Sequence, residues 1–445
     1  MDSSRTPSAG EHQPAKDIIR VGLLGGGTVG GGVVRILDRE AADIAARTGA
    51  RLVVTRVAVR DPGKDRGLPL PDGVFTDDPL AVVESDEVDV VVEVMGGRDP
   101  ASKLVHRALE LGKPVVTANK ELVAHEGPEL YAAASAAGVD LMYEAAVAGA
   151  IPIIRPLKES LAGDRVNRVV GILNGTTNYI LTRMTEEGAD YAAVLAEAQA
   201  LGYAEADPTA DVGGHDAAAK AAILASLAFD TAVRSDDVFR EGIENITATD
   251  IAVADRLGYV IKLLGIASEN EDGLAVRVHP TFLPRTHPLA SVRESFNAIW
   301  VQADAAGELM FYGRGAGDLP TGSAVVGDLV DVARNLLQTV RGPVESQHRA
   351  KPLRSIEELT TQYCVVLSVV DQPGVLAEVS ATFGNHGVSI AQVWQEGHGD
   401  EAQLVIVTHR AREADLQATV TELAATDSVS AVASVVRVES EVFGG

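Results

Sequence analysis

The chain is predicted to be an α/β protein with a doubly wound parallel sheet, followed by a mixed α+β region and a compact C-terminal βαββαβ unit. Three observations predict this. A short apolar strand at residues 18–24 runs straight into GGGTVGGGVVRIL, a glycine turn that opens a helix, and a second strand at 52–59 completes a βαβ unit. Strand-length apolar runs recur at 88–94, 114–118 and 139–143, with helical stretches such as 102–111 between them, the alternation that builds an open parallel sheet. Near the C-terminus, strands at 363–370, 389–394 and 404–408 alternate with helical patterns at 375–385 and 413–424.

Taken in order, residues 1–17 are polar, contain Ser and Pro and lack an apolar stretch, so a frayed tail is expected and not a signal peptide. The parallel sheet occupies 18–150, and a helix at 321–340 is expected to complete that region. Residues 151–320 mix helices with alternating strands, for example at 274–282 and 298–303. A polar linker over 341–360 leads to the last unit at 361–440. A length of 445 residues suits two or three domains with sizeable cores. The net charge of −25 repels phosphate backbones and anionic lipid, which argues against nucleic acid and membrane surfaces as partners. No run reaches the ~18 apolar residues of a membrane span. Cys364 is the only cysteine, which excludes an internal disulfide framework and fits a reducing, cytoplasmic compartment.

Gly25, Gly27 and Gly30 form GxGxxG after a strand, with Thr28 and Val29 opening the helix. In this Rossmann-type context the first glycine allows the tight turn, the second lets a pyrophosphate approach the backbone and the third permits close helix packing. A dinucleotide would place its pyrophosphate at the helix N-terminus. Arg60 sits at the tip of the second strand with Lys64 and Arg66 after it, which favours a 2′-phosphate and so NADP(H); the adjacent Asp61 leaves NAD(H) open. EVMGG, with Gly96, and TANK, with Lys120, end two later strands, where ligands bind in open α/β sheets.

Residues 202–220, GYAEADPTADVGGHDAAAK, concentrate acids and one lysine ahead of an alanine-rich helix. Asp216 and Lys220 stand at i,i+4 on one face. An exposed pair of this kind contributes only about 0.3–0.5 kcal/mol, whereas a positioned proton donor accelerates a reaction roughly 10²- to 10⁴-fold. Spacing alone leaves both readings open.

Together these motifs carry a resemblance. The fingerprint, TANKELVA, EAAVAGAIPI at 144–153, NGTTNYIL at 174–181, GYAEADP with the following Asp211, Asp216 and Lys220, and GRGAG at 313–317 occur in the order and spacing of homoserine dehydrogenases with a C-terminal ACT domain. The resemblance covers the chain from about residue 18 onward. It implies NAD(P)H-dependent, reversible reduction of L-aspartate 4-semialdehyde to L-homoserine, on the route to threonine and methionine.

Residue by residue, the resemblance makes Lys220 the proton donor, Lys120 a second lysine near the nicotinamide and Asp216 the group that keeps Lys220 charged and oriented. Glu205 would meet the substrate ammonium, with Tyr203, Asp211 and Thr176 as neighbours, while Gly315 and Gly317 would pass over the cofactor. A structural Na⁺ would use Glu144 and the carbonyls of Val147, Gly149 and Ile151. Asp371, Gly374 and Asn385 fall where ACT domains, which pair and bind amino acids between them, place their loop and helix-end residues, and the resemblance implies a regulatory role with feedback inhibition by threonine; residues 385–387 also suit an ordinary helix C-terminus. A homodimer or homotetramer, formed through the middle region, is the family expectation. A non-catalytic amino-acid sensor and an oxidoreductase for another small aldehyde are the competing classes; both lysines and Glu205 argue against the first.

Overall fold

The computed structural model describes residues 17–343, 350–398 and 401–439. The proposed tail at 1–16 and the middle of the linker at 344–349 lie outside the described residues.

The N-terminal sheet contains β1 (Ile18–Leu24), β2 (Arg51–Ala58), β3 (Phe75–Thr76), β4 (Val90–Glu93), β5 (Val115–Thr117) and β6 (Leu141–Met142), in the order β3-β2-β1-β4-β5-β6 and parallel throughout. The order reverses between β1 and β4, which opens a crevice at the carboxyl ends of the strands. Strands buried on both faces read as continuous apolar runs; Val90, Val91 and Val92 in β4 are fully buried. Strand ends differ from the sequence reading by one or two residues, the usual fraying. The helix Asp318–Gln338 begins three residues earlier than predicted, and its Val325, Leu329 and Val332 pack into the same core as Val33 and Leu37 of the first helix.

The second sheet joins β7 (Val166–Ile172), β8 (Phe239–Arg240), β9 (Tyr259–Asn270), β10 (Gly273–Pro284), β11 (Phe296–Ala303) and β12 (Gly307–Arg314) to the C-terminal β13 (Thr360–Val370), β14 (Ile390–His398), β15 (Glu401–Thr408), β16 (Ala411–Arg412) and β17 (Val429–Val438). Its main path is β12-β11-β7-β9-β10-β17-β13-β15-β14. The strands of the C-terminal unit therefore continue the second sheet. Thr281 and Phe282 of β10 pair in parallel with Arg437 and Val438 of β17, so an edge that would otherwise expose unpaired backbone groups is covered. The helix His215–Ala228 lies against β7, β9 and β10 and is buried from Asp216 to Ser226, consistent with alanines that let sheet and helix approach closely.

On the opposite face Trp300 packs among Val170, Leu264 and Leu283, with the His287 ring 5.7 Å away. His287 Nδ1 accepts the Leu289 amide at 2.9 Å, and burial pushes the ring pKa down to about 4. The unfolded chain therefore takes up this proton first as pH falls. His287 is expected to withdraw about 3 kcal/mol of stability between roughly pH 6.5 and 4. Asp328, pushed up to about 7 by burial, acts in the opposite sense. The contribution of His287 is thus read by difference: His287→Asn should flatten the acid limb of the unfolding midpoint, and equal acid limbs in both proteins would refute it.

Candidate active site

The fingerprint loop separates glycines that packing requires from one it leaves open. Gly25 has φ +111°, and an added Cβ would lie 2.8 Å from the Val94 carbonyl oxygen. A Cβ on Gly30 would lie 2.1 Å from the Gly25 carbonyl oxygen, whereas one on Gly27 would meet nothing within 4 Å. Gly27 caps the helix Thr28–Arg39 without a side-chain hydrogen bond, so Thr28, Val29 and Gly30 begin a helix whose first amides are open to an anion. Arg60 stands exposed just beyond β2. Arg66 is tied back by bonds to the Asp61 and Lys64 carbonyls and lies over the Phe75 ring.

At the end of β4, Glu93 is fully buried and accepts hydrogen bonds from Met95 N (2.8 Å), Gly96 N (3.3 Å) and Thr117 Oγ1 (2.6 Å). Burial pushes its carboxyl pKa up against these bonds. Gly96 and Gly97 both have positive φ, and Asn119 Nδ2 donates to the Gly97 carbonyl at 2.6 Å. Asn119 also caps the helix Lys120–Ala137 through Leu122 N, which sets Lys120 at the first helical position beyond β5.

From the other side of the cleft comes the helix His215–Ala228. Asp216 Oδ2 lies 2.7 Å from Lys220 Nζ, and Oδ1 lies 3.0 Å from Lys120 Nζ. One carboxylate thus holds both lysines, one from each region. Burial alone would raise the Asp216 pKa, but Lys220 and Lys120 outweigh it and hold the carboxyl well below its usual range. The Asp216 charge in turn raises the pKa of Lys120 against burial. Lys220 is 9 % exposed and is further fixed by the Leu173 carbonyl at 2.8 Å.

Asn174, absent from the sequence-based site, joins the remaining acids. Its Nδ2 donates to Asp211 Oδ1 (2.7 Å) and Asp216 Oδ2 (2.9 Å), while its Oδ1 caps the helix Gly175–Glu187 through Thr177 N. Asn before GTT is a recognisable cap signal, but the cap does not disclose the two acids beyond it. Burial raises the Asp211 pKa, with the Asn174 bond opposing and the Asp216 charge adding. Thr176 Oγ1 donates to the Tyr203 carbonyl at 2.7 Å, and the exposed Tyr203 ring lies 4.9 Å from that of Tyr179. Glu205 is exposed and lines a cleft of ≈ 510 Å³ with Lys120, Asp211 and Asp216; His125, Ser235 and Arg240, which the sequence did not single out, are among its other lining residues.

Gly315 and Gly317 belong to a loop pressed between two backbones. A Cβ on Gly149 would lie 2.5 Å from the Gly315 carbonyl oxygen, and one on Gly32 would lie 2.2 Å from that of Asp318. Glu144 lies buried ahead of a tight turn. Its buried carboxylate accepts the amides of Ile153 (2.6 Å), Ile154 (2.8 Å) and Arg155 (3.1 Å), which satisfies the backbone of the turn that follows. Val147, Gly149 and Ile151 form that turn, with Ala148 and Gly149 at positive φ and Ile151 N bonded to the Ala148 carbonyl. Among the described residues, no group of three or more His, Cys, Asp or Glu is placed to hold a metal ion. In the C-terminal unit Asp371 Oδ1 accepts from Gln395 Nε2 at 3.2 Å, Gly374 has φ +99° at the start of the helix Val375–Asn385, and Asn385 ends that helix exposed.

A crevice built for a dinucleotide, closed on its far side by two ammonium groups on one carboxylate, is the architecture of an NAD(P)-dependent oxidoreductase acting on a CH–OH group. Comparison with known proteins makes this specific. Residues 152–330 match the homoserine dehydrogenase family, 25–144 its NAD-binding domain and 364–427 the ACT domain. The homoserine dehydrogenase of Corynebacterium glutamicum is 50% identical over 446 residues, covering 99% of this chain and 100% of the relative. A crystal structure of a homoserine dehydrogenase from Thiobacillus denitrificans superposes with a TM-score of 0.91 at 42% identity, covering 96% of this chain and 99% of the other. A hyperthermophilic archaeal homoserine dehydrogenase in complex with NADPH matches at a TM-score of 0.61 and 27% identity, covering 71% of this chain and 97% of the other. The chain belongs to the homoserine dehydrogenase family. Among the described residues, no helix is long and apolar enough to cross a membrane.

Proposed function

We propose that this enzyme reduces L-aspartate 4-semialdehyde to L-homoserine, reversibly, with Lys220 as proton donor. The observation that carries this reading is the Asp216 carboxylate shared by Lys220 and Lys120. A bound nicotinamide supplies the hydride. Negative charge then develops on the aldehyde oxygen, where two ammonium groups stabilise it and one can pass its proton. Asp216 and the Leu173 carbonyl fix the position of Nζ. Lys120, at the carboxyl end of β5, is the lysine nearer the dinucleotide crevice. Glu205 meets the substrate ammonium; Asp211, Thr176 and Tyr203 shape the pocket beside it.

The open approach at Gly27 and the helix N-terminus suit a pyrophosphate, and the fingerprint, Gly96, Gly315 and Gly317 form the cofactor's surroundings. NADP(H) is favoured by the exposed Arg60 and by the NADPH-bound relative, with NAD(H) as the alternative. A structural Na⁺ would be held by Glu144 and the backbone carbonyls of Val147, Gly149 and Ile151. Threonine is the proposed effector, bound through Asp371, Gly374 and Asn385. The edge strand β12 exposes Met310 and Tyr312, which supports association into a homodimer or homotetramer through this region. A cytoplasmic place in threonine and methionine biosynthesis completes the reading.

One assay tests it. Purified protein with NADPH and aspartate semialdehyde should consume reduced cofactor, more slowly with NADH, and should oxidise homoserine in reverse. Absence of turnover in both directions would defeat the catalytic reading. Adding threonine should lower the rate; a threonine-insensitive enzyme would remove the effector and leave the dehydrogenase standing.

A further inference from the structure

Where the second sheet meets the C-terminal unit, its face turns from apolar to basic. Arg168 of β7 and Arg277 of β10 converge with Arg354 and Arg410 on a cavity of ≈ 620 Å³ that Gln302 and Thr360 also line. A chain with a net charge of −25 thus gathers four arginines about one space. None of the residues around this cavity lines the cleft of Lys120 and Glu205.

Two of these cations lack a full set of partners. Arg168 is 8 % exposed and its Nη2 is paired with Glu439, yet its Nε is buried with no hydrogen-bond partner. Arg277 is half-buried between the charges of Arg168 and Arg437, and burial together with these like charges pushes its pKa down to about 10. The acid that opposes them, Glu439, is already engaged by Arg168. Glu269 and Asp272, which also line the cavity, leave the four arginines in excess. Glu269 is paired with Lys351, Asp272 is exposed beside Asn270, and Arg437 occupies Glu413 and Glu241. A buried donor without a partner and a cation crowded by like charge are both relieved by an oxyanion, whose oxygens match the guanidinium fork.

We infer that this cavity is a binding site for a small oxyanion of the carboxylate or phosphate class, held by Arg168 and Arg277 with Arg354 and Arg410 at its other wall. The first two arginines come from the catalytic sheet, whereas Arg354 and Arg410 flank β13. A bound anion therefore ties the C-terminal unit to the catalytic sheet beside the β10–β17 junction. The site is independent of the residue roles assigned at the active site.

The test is calorimetric titration of the full chain at constant ionic strength, with NADP present to fill the dinucleotide crevice. Inorganic phosphate and succinate are the probes and chloride is the control. Saturable binding of one anion per chain is expected for at least one probe, and which probe binds identifies the source class. Arg277→Gln should weaken that binding by about tenfold or more, the loss of a charge-assisted hydrogen bond. Arg354→Gln should weaken it less, and it serves as the readout if Arg277→Gln does not fold. Failure of both probes to bind saturably, or unchanged affinity in the variants, would overturn the site. So would an Arg277→Gln protein altered only in its sedimentation, because the guanidinium would then belong to a contact between subunits.

Discussion

Lys220→Ala is expected to lower kcat by about 10²- to 10⁴-fold while leaving cofactor affinity within about twofold. The size of the effect follows from what replaces the ammonium. Water could enter the space, but it would have neither the charge nor the fixed position that Asp216 and the Leu173 carbonyl give Nζ. Stability should suffer less. Stripping one partner from a buried pair costs about 3–5 kcal/mol when the other charge is stranded. Here Asp216 keeps Lys120 and Asn174, so a smaller loss is expected. Lys220→Arg should not restore the rate, since a guanidinium retains its proton. Steady-state oxidation of NADPH with a parallel cofactor titration decides the matter; a kcat within a few-fold of the native value would remove Lys220 from the donor role.

Gly30→Ala is expected to damage both the fold and the cofactor site, whereas Gly27→Ala should damage only the latter. The added methyl at position 30 would sit 2.1 Å from the Gly25 carbonyl oxygen, and Gly25 has little room to yield because it is itself close to the Val94 carbonyl at φ +111°. Overpacking of this kind costs about 1–3 kcal/mol, here concentrated in the turn proposed to receive the pyrophosphate. A rise in cofactor Kd of about tenfold or more should accompany a lower unfolding midpoint. At position 27 the methyl meets no protein atom within 4 Å, so the apo midpoint should hold while the dinucleotide is excluded. Melting curves paired with NADP titrations separate the two variants, and indistinguishable behaviour would refute the division of roles among the glycines.

Much of this was legible along the chain because it depends on neighbours in sequence. A strand, a glycine turn and a helix lie within residues 18–39, and the i,i+4 placement of Asp216 and Lys220 needs only one helical turn. The order of the motifs was enough to reveal a resemblance to the family. Less legible were groups whose partners are distant in sequence. Lys120 reaches the second oxygen of Asp216, and Asn174 binds both Asp211 and Asp216. The amides of 153–155 that fold back onto the Glu144 carboxylate were equally out of view along the chain.

Local pattern by itself therefore determined the βαβ entry, the dinucleotide fingerprint, the buried helix that carries Asp216 and Lys220, and the strands of the C-terminal unit. Tertiary structure decided that one carboxylate serves two lysines and that β17 extends the catalytic sheet beside β10, with an arginine-lined cavity at the seam. The physical reason is that periodicity and turn chemistry act over a few residues, whereas burial and charge pairing depend on which surfaces the folded chain brings together.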